Sequence, residues 1–165
     1  MKALGKTLAE KTKGKIVAQN KKAYHDYFVK ETYEAGIVLC GTEVKSVRGG
    51  KVNLKDSYCS FTEGELFVHG FHISPYEQGN RYNTDPMRDK KLLLHKGELR
   101  KLFGLLTREG YTVIPLSLYF SRGKIKLEIG LCKGKRLYDK RDAIAKHEAD
   151  REIERNVKNK QYREE

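Results

Sequence analysis

Two histidines, His69 and His72, have the HxxH spacing found in some metal sites. They fall in a run with the composition of a strand, where side chains three positions apart point to opposite faces of the sheet. Two ligands on opposite faces do not share one metal ion. The sequence also contains no Walker A loop, GxSxG elbow or HExxH motif. We therefore expect no metal site, no cofactor and no catalytic centre.

Basic side chains on predicted surface faces indicate a different chemistry, the binding of phosphate. Lys124 and Lys126 alternate with apolar residues, so the two lysines face away from the side that the strand buries. Lys45 and Arg48, three residues apart, form a second basic ledge, and the pair Lys21-Lys22 adds a third. Lysines at such positions also serve solubility alone, and the sequence leaves both roles open.

Glu34 and Asn20 are polar residues beside these cations. In a chain that binds phosphate, Glu34 either pairs with a nearby lysine or accepts hydrogen bonds from base or 2′-hydroxyl donors. Asn20 either contacts a base edge or caps the helical turn that follows it. Ten tyrosines and no tryptophan suit base stacking as well as core packing, and for Tyr76, Tyr82 and Tyr138, in polar segments, the two roles are equally open.

Several elements must position these residues. Residues 111–131 alternate around Ser121-Arg122-Gly123 and predict a β-hairpin, and residues 57–71 predict a second hairpin with its turn at 62–65. Apolar residues with helical spacing predict a helix within 95–109.

Three further segments follow from the pattern. Residues 27–39 read as β-rich but broken at 34–36, residues 42–48 as a short helix with Thr42 as N-cap, and residues 74–91 as a long polar loop. Five or six short antiparallel strands with a helix between them predict a mainly β fold. We expect an OB-like antiparallel β-barrel with accessory α-helices.

Composition limits the partners and the compartment. The chain has 165 residues, 38% of them hydrophobic, and its 34 Lys+Arg against 22 Asp+Glu give a net charge of +12. Such an excess favours nucleic acid over an anionic membrane. No signal-peptide pattern or long apolar run is present, so a cytoplasmic protein without a membrane partner is expected. Cys40, Cys59 and Cys132 form no CxxC pair and are each expected to be small buried residues.

The charge also divides the chain. Residues 1–24 hold seven Lys and one Glu, whereas residues 134–165 hold ten basic and eight acidic residues. We expect a flexible basic arm at 1–14, an RNA-binding barrel at 15–133 and a mixed-charge tail at 134–165. The tail is predicted to be disordered when free, because its apolar stripe of Ala145, Ala149, Ile153 and Val157 is too weak to fold without a docking surface.

Five blocks in fixed order resemble a known family. They cover residues 19–28, 33–39 with 41–48, 90–96, 108–113 and 133–141. Together they are similar to the small protein B (SmpB) family, the tmRNA-binding proteins of bacterial trans-translation. The similarity extends over residues 15–145 and is far more specific than any single block.

The resemblance implies an OB-like barrel that clamps the tRNA-like domain of tmRNA. With EF-Tu, such a protein brings tmRNA to ribosomes stalled on mRNA without a stop codon. On this basis and on the basic ledges, the expected RNA-binding residues are Asn20, Lys21, Lys22, Glu34, Lys45, Arg48, Lys90, Lys91, Leu92, Leu93, Leu94, Lys124 and Lys126.

The tail is expected to act in the small-subunit decoding centre and mRNA channel, becoming helical on the ribosome. The residues assigned to it by the resemblance are Lys133, Gly134, Lys135, Arg136, Tyr138, Asp139, Lys140 and Arg141. The position of Tyr138 is His in some members of the family. A role there must therefore rest on an aromatic ring that stacks and not on imidazole chemistry.

Two other function classes are compatible with the residues alone. The first is a generic OB-fold protein that binds single-stranded or ribosomal RNA, or associates with ribosomes. The second is an RNA-processing enzyme, which the lack of clustered Asp, Glu and His disfavours.

Overall fold

The computed structural model describes residues 14–135, 141, 144–153 and 155. Within residues 14–135 there are nine strands and three α-helices. The strands are β1 (Ile16–Gln19), β2 (Tyr27–Ile37), β3 (Val52–Asn53), β4 (Tyr58–Thr62), β5 (Glu65–His69), β6 (His72–Ile73), β7 (Lys90–Leu93), β8 (Thr112–Ser121) and β9 (Lys124–Gly134). The helices are α1 (Lys21–Asp26), α2 (Gly41–Arg48) and α3 (Lys96–Arg108), and one 3-10 turn covers Asn80–Tyr82.

The strand pairings close into a ring. In the order β8, β4, β5, β7, β2 and β9, each strand pairs with the next, and β9 pairs with β8. All of these pairs are antiparallel, and β1 joins the edge of β8 beside β4. The mainly β, OB-like barrel expected from the sequence is therefore confirmed. Closure leaves fewer strand edges open than a flat sheet would.

Both predicted hairpins are present, each with a two-residue turn that needs left-handed backbone. Glu63 and Gly64 connect β4 to β5 with φ of 52° and 77°, and Arg122 and Gly123 connect β8 to β9 with φ of 50° and 73°. Two consecutive positive φ angles define the turn type whose twist matches paired strands. The turn at 122–123 fixes the register in which Tyr119 lies opposite Lys126.

The expected break at residues 34–36 is wrong. Strand β2 runs without interruption, and Glu34, Ala35 and Gly36 pair with residues of β9. The irregularity lies earlier, between Val29 and Glu31, where the register with β9 shifts. A bulge of this kind bends a long strand. At its far end β2 pairs with β7 along its other edge, while Gly36 still pairs with Lys126 of β9.

The core fills the ring and is covered by α3. Leu66, Val68, Leu118, Leu127 and Ile129 are completely buried. Helix α3, which confirms the predicted helix at 95–109, packs Leu99, Leu102, Leu105 and Leu106 against that core. Phe103 remains half exposed and contacts the edge of Phe61 with ring centroids 5.3 Å apart.

Helix α2 has its N-cap two residues earlier than predicted. Its N-cap is Cys40, not Thr42, and the Cys40 N–H donates to Oε2 of Glu43 at 2.8 Å. Cys40 is consequently exposed, so its expected burial is wrong, whereas Cys59 and Cys132 are buried as predicted. Burial raises the pKa of both buried thiols, that of Cys132 to about 11.

Strand β1 and helix α1 were not predicted from the sequence. Gly14 N–H donates to the carbonyl of Phe120, and β1 continues along β8. At the opposite end of the barrel, β9 extends to Gly134, and the Lys135 N–H donates to the carbonyl of Asp26 at 2.9 Å. Strand β9 and this bond therefore extend the described sheet to Lys135, two residues beyond residue 133.

In the tail, residues 144–153 are α-helical. Ile144 and Ile153 on this segment are exposed. Residues 1–13 of the predicted arm, and Arg136, Tyr138, Asp139 and Lys140 of the predicted decoding segment, lie outside the described residues. Among the described helices, none has the length and apolarity needed to cross a membrane.

Candidate nucleic-acid interface

Glu34 lies in a cluster made by three adjacent strands, β8, β9 and β2. The Tyr119 hydroxyl donates to Oε2 of Glu34 at 2.5 Å, and Nζ of Lys126 is 4.0 Å from Oε1. Tyr119 is fully buried, while Glu34 keeps about a third of its side chain exposed. Burial and the carboxylate next to it raise the pKa of Tyr119 far above its ordinary value, so the phenol stays protonated.

Three basic side chains share a cleft with this carboxylate. A shallow cleft is lined by Glu34, Ser121, Arg122, Lys124 and Lys126. Three positive side chains and one carboxylate in so small an area suit a ligand that carries phosphates together with a hydrogen-bond donor. A plain phosphate site would not need the acid.

The neighbouring groove has an apolar floor and a basic rim. Its floor is formed by Gly36, Ile37, Leu39, Val44, Leu93, Phe120 and Ile125, and its rim by Arg48, Lys124 and Lys126. Leu93 is 51% exposed and lies close to Gly36, where an added Cβ would meet the Leu93 Cβ at 3.3 Å. The structure thus brings together five of the predicted residues, namely Glu34, Arg48, Leu93, Lys124 and Lys126. We call this region the hairpin surface.

Lys45 lies on the same helix as Arg48 but lines a different groove. Its Nζ is 5.2 Å from the centroid of the Tyr76 ring, and the groove also includes Thr42 and Tyr82. Helix α2 therefore separates the hairpin surface from the polar loop predicted at 74–91.

Lys90 is wrong as a direct RNA contact. Its side chain is completely buried, and Nζ donates to the carbonyls of Phe71 at 2.9 Å and Arg88 at 2.6 Å. Burial lowers its pKa. Because β7 alternates, Leu92 is also in the core with 2% exposure, and neither residue reaches the surface.

The other residues of this block have mixed positions. Lys91 is half buried and pairs with Glu65 at 2.5 Å, and Leu94 is partly buried against the core. Among Leu92, Leu93 and Leu94, only Leu93 is well exposed. The predicted block therefore splits by strand parity into an inner and an outer set.

Asn20 is a structural cap, not an exposed base reader. Its Oδ1 accepts from the Ala23 N–H, and its Nδ2 donates to the carbonyls of Leu54 and Pro115. With 5% exposure, the amide joins α1 to β8 and to the segment after β3. The cap alternative for this residue is therefore confirmed. The adjacent Lys21 and Lys22 are exposed, and Lys22 pairs with Asp56 at 2.7 Å.

Cations and rings alternate where β9 ends. Lys30 and Lys133 lie over the Tyr111 ring at 4.8 and 5.8 Å, and Lys135 lies 5.0 Å from the centroid of Phe28. Phe28 is 53% exposed. Lys133, Gly134 and Lys135 are thus the described start of the predicted tail segment, while Arg141 is an exposed helical residue.

Sequence reasoning missed Tyr119 and Arg122 as members of the site. The two-residue turn could have identified both residues. Arg122 belongs to that turn, and counting outward from residues 122–123 places Tyr119 opposite Lys126. Among the residues that the structure describes, no group of three His, Cys, Asp or Glu could hold a metal ion. His69 instead stacks on Tyr58 and pairs with Asp89 and Ser60.

Comparison with known proteins gives a consistent result. The family model described as SmpB protein matches residues 17–159. The SsrA-binding protein of Ruminiclostridium cellulolyticum is 64% identical over 144 residues, covering 87% of this chain and 94% of the relative. That of Acetivibrio thermocellus is 60% identical over 148 residues, covering 90% and 96%.

A solved structure agrees with these relatives. It is described as "tmRNA-SmpB: a journey to the center of the bacterial ribosome" and is 48% identical, with a TM-score of 0.62. The match covers 78% of this chain and 94% of that chain. At this identity and coverage, the likeness extends to both sequence and fold, and this chain is a member of the SmpB protein family.

Proposed function

We propose that this protein binds the tRNA-like domain of tmRNA and delivers it to stalled ribosomes for trans-translation. The observation that carries the proposal is the Glu34 carboxylate, held by Tyr119, in a cleft that Arg122, Lys124 and Lys126 also line. A carboxylate in that place weakens attraction to phosphate alone. It becomes useful when the ligand also presents base or sugar donors.

The proposed RNA-binding surface consists of the hairpin surface with Arg122, extended by exposed lysines. Glu34 accepts a hydrogen bond from the RNA, and Lys124, Lys126 and Arg48 contact phosphates. Leu93 and the apolar floor pack against a sugar or base. Lys21, Lys22, Lys45 and Lys91 contribute to the positive field that attracts the RNA.

The proposed ribosomal end of the molecule begins where β9 ends. Lys133, Gly134 and Lys135, followed by residues 136–141, enter the small-subunit decoding centre and the mRNA channel. The support is compositional, since residues 134–165 carry only a small charge excess and little apolar area. EF-Tu accompanies the complex during delivery, and the protein works in the cytoplasm without catalysing a reaction.

A competition experiment tests the proposal. The full-length protein is titrated against labelled tRNA-like domain of tmRNA, with elongator tRNA and an unstructured RNA of equal length as competitors, over a salt series. We expect the tmRNA domain to resist competition by the unstructured RNA and to bind more tightly than tRNA. Equal competition by all three RNAs would instead identify a generic RNA-binding protein.

A further inference from the structure

We propose a second RNA contact at the tyrosine loop, residues 75–83, in which Tyr82 stacks on an unpaired base. The contact deepens the proposed function, because it requires that the partner be a structured RNA with unstacked nucleotides. It lies outside the hairpin surface. Its chemistry is aromatic stacking with flanking positive charge, which recognises a base without reading its sequence.

The loop holds a fixed conformation despite its polar sequence. The Asn83 side chain bonds both backbone groups of Tyr76, accepting from its N–H and donating to its carbonyl, each at 2.9 Å. Further backbone bonds join Gly79 to Tyr76 and Tyr82 to Gly79, both at 2.8 Å. A Cβ on Gly79 would lie 2.6 Å from Oδ1 of Asn83, so this turn requires glycine. A ring on such a loop loses little freedom when it binds.

The loop is also attached to α2. Thr42 Oγ1 donates to the Tyr82 carbonyl at 3.2 Å, and Thr84 Oγ1 donates to Oε1 of Glu43 at 3.1 Å. Glu43 is buried and also accepts from the guanidinium of Arg88, with Nη2 and Oε2 2.8 Å apart. Helix α2 therefore holds the loop in place through these side-chain bonds.

Tyr82 is displayed outward on this support. The residue is 68% exposed although the Arg81 guanidinium lies over its ring at 5.1 Å from the centroid. The same guanidinium donates from Nη2 to the Tyr82 hydroxyl at 3.1 Å. Because most of the residue remains exposed, we infer that the ring face away from Arg81 can receive a planar partner. A base that enters there is sandwiched on the side away from the guanidinium, whose charge also attracts the phosphate next to it.

Positive charge and position favour RNA over an apolar partner. Lys45 stands over Tyr76 in the same groove, which Gln78 also lines with an amide able to bond a base edge. Arg48, one turn along α2, belongs to the hairpin surface. One RNA that covers the hairpin surface can therefore reach the tyrosine loop across the width of a single helix.

The absence of tryptophan from the sequence allows a direct test. Tyr82→Trp creates a single-tryptophan protein whose emission reports on the ring itself. We expect titration with the tRNA-like domain of tmRNA to quench this emission while the affinity stays near that of the unmodified protein. Tyr82→Ala should weaken binding by at least about fivefold, the lower range of base–aromatic stacking, and Tyr82→Phe should retain most of the affinity.

Two controls sharpen the result. Phe103→Trp on α3 places a half-exposed tryptophan away from both grooves, and its emission should remain unchanged on titration. A fully paired RNA duplex offers no unstacked base, so Tyr82→Ala should bind it as tightly as the unmodified protein does.

The inference is overturned if Tyr82→Ala binds the tmRNA domain as tightly as the unmodified protein, or if Tyr82→Trp emission does not respond. Failure of the proposed function looks different. If the unmodified protein does not prefer tmRNA to tRNA, but Tyr82→Ala weakens its binding to both, the stacking contact stands and the tmRNA assignment falls.

Discussion

Tyr119 and Glu34 are 85 residues apart in sequence and share a 2.5 Å hydrogen bond across β9. Strand β9 lies between β8, which carries Tyr119, and β2, which carries Glu34. Its Lys126 lies opposite Tyr119 on one side and opposite Gly36 on the other. The buried phenol fixes the direction of the carboxylate, and the lysine ammonium lies within ion-pairing distance of it. Barrel closure is what brings β8 and β2 to the two sides of one strand.

Glu34→Ala should weaken binding of the tmRNA domain by roughly tenfold, although the variant has one more unit of positive charge. The physical reason is that an acceptor for base or sugar donors is removed. Filter binding at constant salt measures the affinity of the variant for the tmRNA domain. Glu109→Ala changes the charge equally at the exposed end of α3 and should leave affinity unchanged or slightly higher. Tighter binding by Glu34→Ala would show that attraction is purely electrostatic.

Lys124→Ala with Lys126→Ala should lower affinity and flatten its salt dependence. For each phosphate that is no longer neutralised, the slope of log K against log salt falls by about 0.9 with a double-stranded partner and by less with a single strand. The double variant Lys55→Ala with Lys96→Ala removes the same charge from exposed positions elsewhere and serves as the control. If the salt slope of the Lys124→Ala, Lys126→Ala variant is unchanged, these lysines neutralise no phosphate and serve solubility alone.

Lys90→Ala should destabilise the fold, and Lys91→Ala should not. Removing Lys90 leaves the carbonyls of Phe71 and Arg88 without their donor and opens a cavity, at a cost of about 2–4 kcal/mol. Lys91 is only half buried and pairs with Glu65 near the surface, so its removal should cost less than about 1 kcal/mol. Urea denaturation of the two variants compares them. Equal midpoints would contradict the structural role of Lys90.

Glu43 should make stability depend on pH. Burial alone would raise the pKa of this carboxyl, but bonds from Arg88 and the Cys40 N–H outweigh it and lower the pKa. A lowered folded-state pKa contributes stability that is present above the ordinary value of about 4.5 and is lost as pH falls through the folded-state pKa. Glu43→Gln should therefore be less stable at pH 7 and show a flatter fall of Tm below about pH 4.5. If the Tm of the unmodified protein and that of Glu43→Gln fall in parallel as pH is lowered, Glu43 is not a source of the pH dependence.

Truncation after Lys135 should separate RNA binding from ribosome rescue. The truncated protein keeps the whole barrel and the bond from the Lys135 N–H to the Asp26 carbonyl. Its affinity for the tmRNA domain should therefore stay within a few-fold of that of the unmodified protein. Peptide tagging in a reconstituted translation assay should disappear. Ile153→Pro should reduce tagging as well, because proline in a helix interior costs about 3 kcal/mol and residue 153 is helical. Tagging by the truncated protein would show that the tail is dispensable.

The elements that sequence analysis predicted well are those with strong local patterns. The two hairpins and α3 have clear periodicity and turn residues, so tertiary packing only confirmed them. The break at Glu34 was wrong because Ala35 and Gly36 are weak strand formers that pairing with β9 overrides. Strand β1 escaped notice because four residues of ordinary composition acquire their structure only by pairing with β8.

The site was partly predictable for a similar reason. Strand parity correctly put Lys124 and Lys126 on the outer face, but parity was not applied to residues 90–94, where it would have placed Lys90 and Leu92 inside. The partnership of Glu34 with Tyr119 depends on two long-range registers, which no local pattern in a single sequence reveals. The tyrosine loop depends on Asn83, whose amide acts as a backbone surrogate.

The two ends of the described barrel leave it at opposite poles. Gly14 is bonded to Phe120 beside the hairpin turn, and Lys135 is bonded to Asp26 at the far end of the same hairpin. Phe120 lies opposite Ile125, and the ten residues from there to Lys135 along β9 span roughly 30 Å. A fluorophore attached before Gly14 is thus tethered on the Glu34 side, and one attached after Lys135 on the tail side. Labels at the two positions can then follow two proposed partners independently in one molecule.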